Sequence, residues 1–79
     1  MTLRFEVVSE RTKGQVCDSI GISIFLDDQL KIDFYELNIY PEDNLIVCEG
    51  LHRQFERTIG PINFDDLKEL VVSAIYRTN

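Results

Sequence analysis

The chain has one histidine, His52, and two cysteines, Cys17 and Cys48, while its fourteen carboxylates are too numerous for close pairs among them to single out an acid–base site. Histidine is the side chain whose charge changes near neutral pH, and a cysteine beside it becomes a nucleophile when the two lie within hydrogen-bond reach. Cys48 and His52 are close in sequence. A two-residue Glu49-Gly50 hairpin, however, pairs Cys48 with Leu51 and Val47 with His52, which sends the two reactive groups to opposite faces. A structural zinc site needs four Cys/His ligands, more than this chain supplies. The acidic doublets Asp27-Asp28, Glu42-Asp43 and Asp65-Asp66 lack the alternating oxygen spacing of a calcium loop. Each stands at a turn or a helix start, where carboxylates accept backbone N–H bonds. Gly14, Gly21, Gly50 and Gly60 are isolated and form no phosphate loop, and no nucleophile motif is present. The expectation is no enzyme, with no catalytic residue, no metal and no cofactor.

Groupings suited to binding remain. His52, Arg53 and Arg57 form a local basic cluster in an acidic chain; Arg53 and Arg57 share a face on a strand and are an i,i+4 pair on a helix. They serve either as cross-strand partners for the acids or as a grip on a phosphate or carboxylate, for which the guanidinium fork is suited. Val72 and Tyr76 stand one turn apart beside the apolar stripe of the last helix. They are either covered by a curling sheet or present a hydrophobic surface to a second copy or another protein.

Several elements must position these groups. Leu3, Phe5 and Val7 alternate with Arg4 and Glu6, the period of a half-buried strand. Arg11 to Gln15 carries charge and a glycine and reads as a turn or loop. Val16, Ile20, Ile22, Ile24 and Leu26 form one face of a second strand, with Ser19, Gly21 and Ser23 on the other; β-branched residues at alternate positions suit a pleated sheet. Asp27-Asp28-Gln29 makes a tight break. Leu30, Ile32 and Phe34 then share a face, after which Tyr35, Leu37 and Ile39 become the apolar set, and this change of phase predicts a bulge near Phe34–Tyr35. Pro41 to Asn44 is a turn and Leu45 to Cys48 a fourth strand. Leu51 to Ile59 is expected as a fifth strand, or as a single helical turn.

Gly60-Pro61 ends that element. Asn63 is a helix N-cap with Asp66 at N3, and Ile62 and Leu67 occupy the positions of a hydrophobic staple. Phe64, Leu67, Leu70, Val71, Ala74 and Ile75 recur at helical spacing as far as about Arg77. The predicted fold is α+β: one domain over residues 1–79, an antiparallel β-meander of four to five strands covered on one face by the C-terminal amphipathic helix.

The 79 residues hold 44% apolar side chains, enough for one small core. Fourteen acidic against eight basic residues give a net charge of −6, which disfavours direct nucleic-acid binding and docking on an anionic membrane. The charge suits solubility or a basic protein partner, including one with a groove that normally holds nucleic acid. Met1 leads directly into strand-like sequence without a signal-peptide pattern, so a cytoplasmic setting is expected. The functional expectation is a small acidic interaction module binding a protein partner stoichiometrically, in the manner of inhibitors, immunity proteins or phage counter-defence proteins, with a homodimer as a further form. Val72, Tyr76, Asp27, Asp28, Glu42 and Asp43 are its expected contacts. The alternative is a small-ligand or nucleotide-binding domain using His52, Arg53 and Arg57.

Overall fold

A computed structural model describes residues 2–9 and 11–77. The chain runs through strands β1 (Leu3–Val7), β2 (Asp18–Leu26), β3 (Gln29–Tyr40) and β4 (Leu45–Val47), then helices α1 (Glu49–Thr58) and α2 (Phe64–Arg77). The strands form one antiparallel sheet in the order β1-β2-β3-β4. This is the α+β meander expected from the alternation, with the C-terminal helix on one face. Phe5, Ile20, Ile22, Ile24, Ile32, Leu37 and Ile39 point from the sheet into the core, where they meet Leu51 and Phe55 of α1 and Leu67, Val71, Ala74 and Ile75 of α2. Helix α2 lies against β1, and α1 against β3.

Turn chemistry sets the meander. Leu26 pairs with Gln29, and the two residues between them have positive φ, 50° at Asp27 and 66° at Asp28. That is the type I′ geometry whose twist matches the flanking strands. Asn44, at φ 52°, closes the four-residue β3–β4 loop. At the start of α2 the Asn63 Oδ1 accepts the Asp65 and Asp66 N–H groups at 2.9 and 3.3 Å, the expected N-cap.

Two register shifts decide which way β3 side chains face. Ile20 pairs with Leu37 and Ile22 with Phe34, so Gly21 stands opposite both Tyr35 and Glu36. The expected bulge therefore falls at Tyr35–Glu36. It returns Leu37 and Ile39 to the core side and leaves Tyr35 on the other, 60% exposed, rather than grouped with them. A second shift inserts Lys31 between the pairs Ile24–Ile32 and Phe25–Leu30. Leu30 is thereby turned out of the face of Ile32 and Phe34 and is 51% exposed.

The expected fifth strand is a helix. Residues 51, 55 and 59 are spaced by four, which a helix gathers on one side; a strand would have placed Arg53 and Arg57 among them. Leu51 and Phe55 are buried, and Ile59 is the C-cap of α1, its N–H bonding the Phe55 carbonyl at 2.8 Å. Val16, expected in the core, lies in the loop before β2 and is 78% exposed. That loop is organised by Asp18, a buried carboxylate that accepts bonds from Arg11 Nε at 2.7 Å and the Gly14 N–H at 3.4 Å, with Lys13 Nζ at 3.6 Å. Burial alone would raise the Asp18 pKa, but the Arg11 bond, the Gly14 N–H and the Lys13 charge outweigh it and hold the carboxyl below its ordinary value of 3.8.

Candidate functional site

Both helices cover the same side of the sheet, and among the described residues the other side carries no helix. This bare face is built in cross-strand rows. Arg4, Phe25 and Leu30 stand side by side on β1, β2 and β3, with the Arg4 guanidinium 4.3 Å above the Phe25 ring. In the next row are Glu6, Ser23 and Asp33, where the Ser23 hydroxyl donates to the Asp33 carboxylate. Val8, Gly21 and Tyr35 follow, the Val8 N–H bonding the Gly21 carbonyl at 3.0 Å. Further along, Leu45 pairs with Tyr40 and is exposed.

The middle of this face is low because β2 presents Ser19, Gly21 and Ser23. A Cβ on Gly21 would stand 2.8 Å from Tyr35 Cδ1 and 2.9 Å from Ser9 Oγ. The absence of a side chain at position 21 therefore lets the Tyr35 ring lie down on the sheet. Leu30, Tyr35 and Leu45 are exposed apolar residues spaced along β3 and β4, with Asp33 in the row between the first two. The two acidic turns stand at the ends of β3, Asp27-Asp28 at one and Glu42-Asp43 at the other. Exposed large apolar groups rimmed by polar ones favour protein contacts. Among the described residues, Glu36, Glu42 and Asp43 have no cation within 4.0 Å.

The residues singled out from the sequence do not meet in one place. Asp27 and Asp28 occupy the β2–β3 turn, and Glu42 and Asp43 the β3–β4 turn, at opposite ends of β3. Asp27 is partly committed, its Oδ1 accepting the Thr2 N–H at 2.8 Å. Val72 and Tyr76 belong to α2 on the far side of the sheet from Tyr35. Val72 is half-buried against the core, whereas Tyr76 is 53% exposed.

His52 faces inward. Its Nε2 donates to the Ile62 carbonyl at 2.9 Å, its ring meets Phe64 edge-on at 5.4 Å, and Glu56 Oε2 lies 3.9 Å away. The imidazole thus ties α1 to the segment leading into α2. Arg53 and Arg57 stand exposed on α1 with no carboxylate within 4.0 Å among the described residues. The hairpin expected to separate Cys48 from His52 is absent: Cys48 is the N-cap of α1, its carbonyl accepting the His52 N–H at 2.8 Å. Cys48 is fully buried, and burial pushes its thiol pKa up, the opposite of what a nucleophile requires.

Tyr35 and Leu30 were not singled out as contacts from the sequence, because their outward direction follows from bulges. One signal was present: a central strand whose outward residues are Ser, Gly and Ser leaves room above it. Comparison of the chain with protein-family models, with curated proteins and with solved structures finds no match.

Proposed function

We propose that this chain is a non-enzymatic interaction module that binds one protein partner stoichiometrically through the bare face of its sheet, as inhibitors, immunity proteins or counter-defence proteins do. The observation that carries the reading is the exposure of three large apolar residues, Leu30, Tyr35 and Leu45, on the side of the sheet that neither helix covers. A tyrosine lying flat on a strand is a rigid amphipathic anchor of the kind that dominates interface energetics. The acidic turns at the two ends of β3, with the net charge of −6, favour a partner with a basic surface, including a groove that normally holds nucleic acid. Val72 and Tyr76 are then outside the contact.

The test is capture of a partner from the native host by the tagged chain, repeated with Tyr35→Arg and with Tyr76→Arg. The expected result is a one-to-one complex lost with Tyr35→Arg, kept with Tyr76→Arg, and weakened by salt. Loss with Tyr76→Arg alone would move the site to the helix layer. A nucleotide or phosphorylated metabolite that raises the melting temperature, an effect abolished by Arg53→Ala with Arg57→Ala, would support the ligand-binding alternative instead.

A further inference from the structure

Among the described residues, strand β1 is an edge of the sheet, paired only with β2. The Val8 N–H bonds the Gly21 carbonyl at 3.0 Å and the Asp27 N–H bonds the Thr2 carbonyl at 2.9 Å, so the even-numbered residues of this stretch bond toward β2. Alternate residues of an antiparallel strand bond on opposite edges. The N–H and C=O groups of Leu3, Phe5 and Val7 therefore point out of the sheet. Arg77 meets this edge, its Nη2 donating to the Phe5 carbonyl at 3.2 Å. A groove of about 420 Å³ runs beside it, lined by Arg4, Phe5, Glu6, Val7, Ala74 and Arg77. An open strand edge is a template for another strand.

We propose that the occupant is β1 of a second copy of this chain, paired antiparallel about a two-fold axis at Phe5. The strand is self-complementary about that residue. Phe5 faces Phe5, Leu3 faces Val7 of the second copy, and Arg4 faces Glu6 of the second copy. The outward-pointing odd residues then form the hydrogen-bonded pairs, closing about six main-chain bonds; the Phe5 N–H of the second copy replaces Arg77 on the Phe5 carbonyl. Within one chain Arg4 Nη1 already lies 3.1 Å from Glu6 Oε1. Across the axis, Arg4 and Glu6 form non-hydrogen-bonded pairs, where side chains come closest. The four charges alternate in sign around the axis. Either neighbouring register that keeps the edge bonds sets Arg4 against Arg4 or Glu6 against Glu6, so charge selects the register. An axis normal to the sheet keeps both helix layers on one side, and exposed Leu70, which lines the adjoining cleft with Leu3 and Ser73, turns toward the joint. The interface is isologous and closed.

The test is sedimentation equilibrium and light scattering of the full chain. The expected mass is twice the 9.2 kDa of one chain. Glu6→Arg and Arg4→Glu, each alone, weaken the dimer by roughly tenfold or more by placing like charges across the axis. Mixing the two single variants restores association between unlike chains, and the Arg4→Glu/Glu6→Arg double variant restores the homodimer. Glu6→Arg leaves the Arg4–Phe25 stacking in place, so it remains informative even where Arg4→Glu loosens the fold, and circular dichroism melts confirm folding. A single-chain mass for the unmodified protein at millimolar concentration overturns the proposal. So does a dimer indifferent to both single variants. Arg4 and Glu6 share the bare face with Tyr35 but belong to the edge strand β1, so the mass of the free chain is read separately from partner capture with Tyr35→Arg, and failure of one leaves the other standing.

Discussion

Leu67 and Leu70 stand three residues apart on α2 in a single apolar stripe, yet alanine at the two positions should have unequal effects. Leu67 is fully enclosed in the core, whereas Leu70 is 39% exposed beside the β1 edge. Removing the Leu67 side chain takes away apolar burial and leaves a closed cavity, a cost of about 3 kcal/mol. At Leu70 less surface is recovered from water and the space opens to solvent, so about 1 kcal/mol is expected. Helix propensity changes equally at both mid-helix sites and cancels in the comparison. A domain this size has a total stability on the order of 4–12 kcal/mol, so Leu67→Ala removes a large part of it. The assay is urea unfolding followed by far-UV circular dichroism, comparing midpoints at constant m. It is run in the Glu6→Arg background at fixed concentration, so that self-association does not enter. Equal costs at the two positions would refute the enclosure of Leu67 and the exposure of Leu70, and the cleft that Leu70 lines beside β1 would fall with them.

Further outcomes follow from individual contacts. Because the folded pKa of Asp18 lies below 3.8, its ionised form stabilises the fold fully above that value, and the contribution disappears as pH falls through the lower folded pKa. Asp18→Asn should therefore lower the urea midpoint at neutral pH, with the gap to the unsubstituted protein closing in acid; a gap constant down to pH 2 contradicts the Arg11–Gly14–Lys13 arrangement. Cys48, enclosed and with its thiol pKa raised by burial, should resist iodoacetamide until the chain unfolds, while Cys17, half-buried, reacts first; mass mapping of the adducts reads the order. His52→Ala removes the bond to the Ile62 carbonyl and the contact with Phe64, and should cost about 1–2 kcal/mol in the same urea assay, with hydrogen exchange rising first at the α1–α2 connection. An unchanged exchange pattern would show that His52 does not join these segments.

Local chemistry was legible in the sequence. Alternation announced β1, β2 and the two halves of β3, and Asn63 with Asp65 and Asp66 announced the start of α2, because strand period and helix capping depend on residues a few positions apart. The interruption of phase after Phe34 was legible as a bulge, but not its consequence for Tyr35. The segment from residue 51 to 59 was ambiguous because its apolar positions recur every four residues, a spacing compatible with every second strand position as well as with one helix face. Packing against β3 decided for the helix.

What the sequence determined alone was the class of fold, the order of the four strands and the C-terminal helix, and the count of one histidine and two cysteines. Tertiary structure decided which of two leucines on α2 is enclosed, that Tyr35 and Leu30 face away from the helices, that the two acidic turns lie at opposite ends of β3, and that β1 stands at an edge of the sheet among the described residues. Each of these depends on register between strands and on the rotation of a helix over a sheet. Those are set by contacts between residues far apart along the chain, to which local period and propensity are blind.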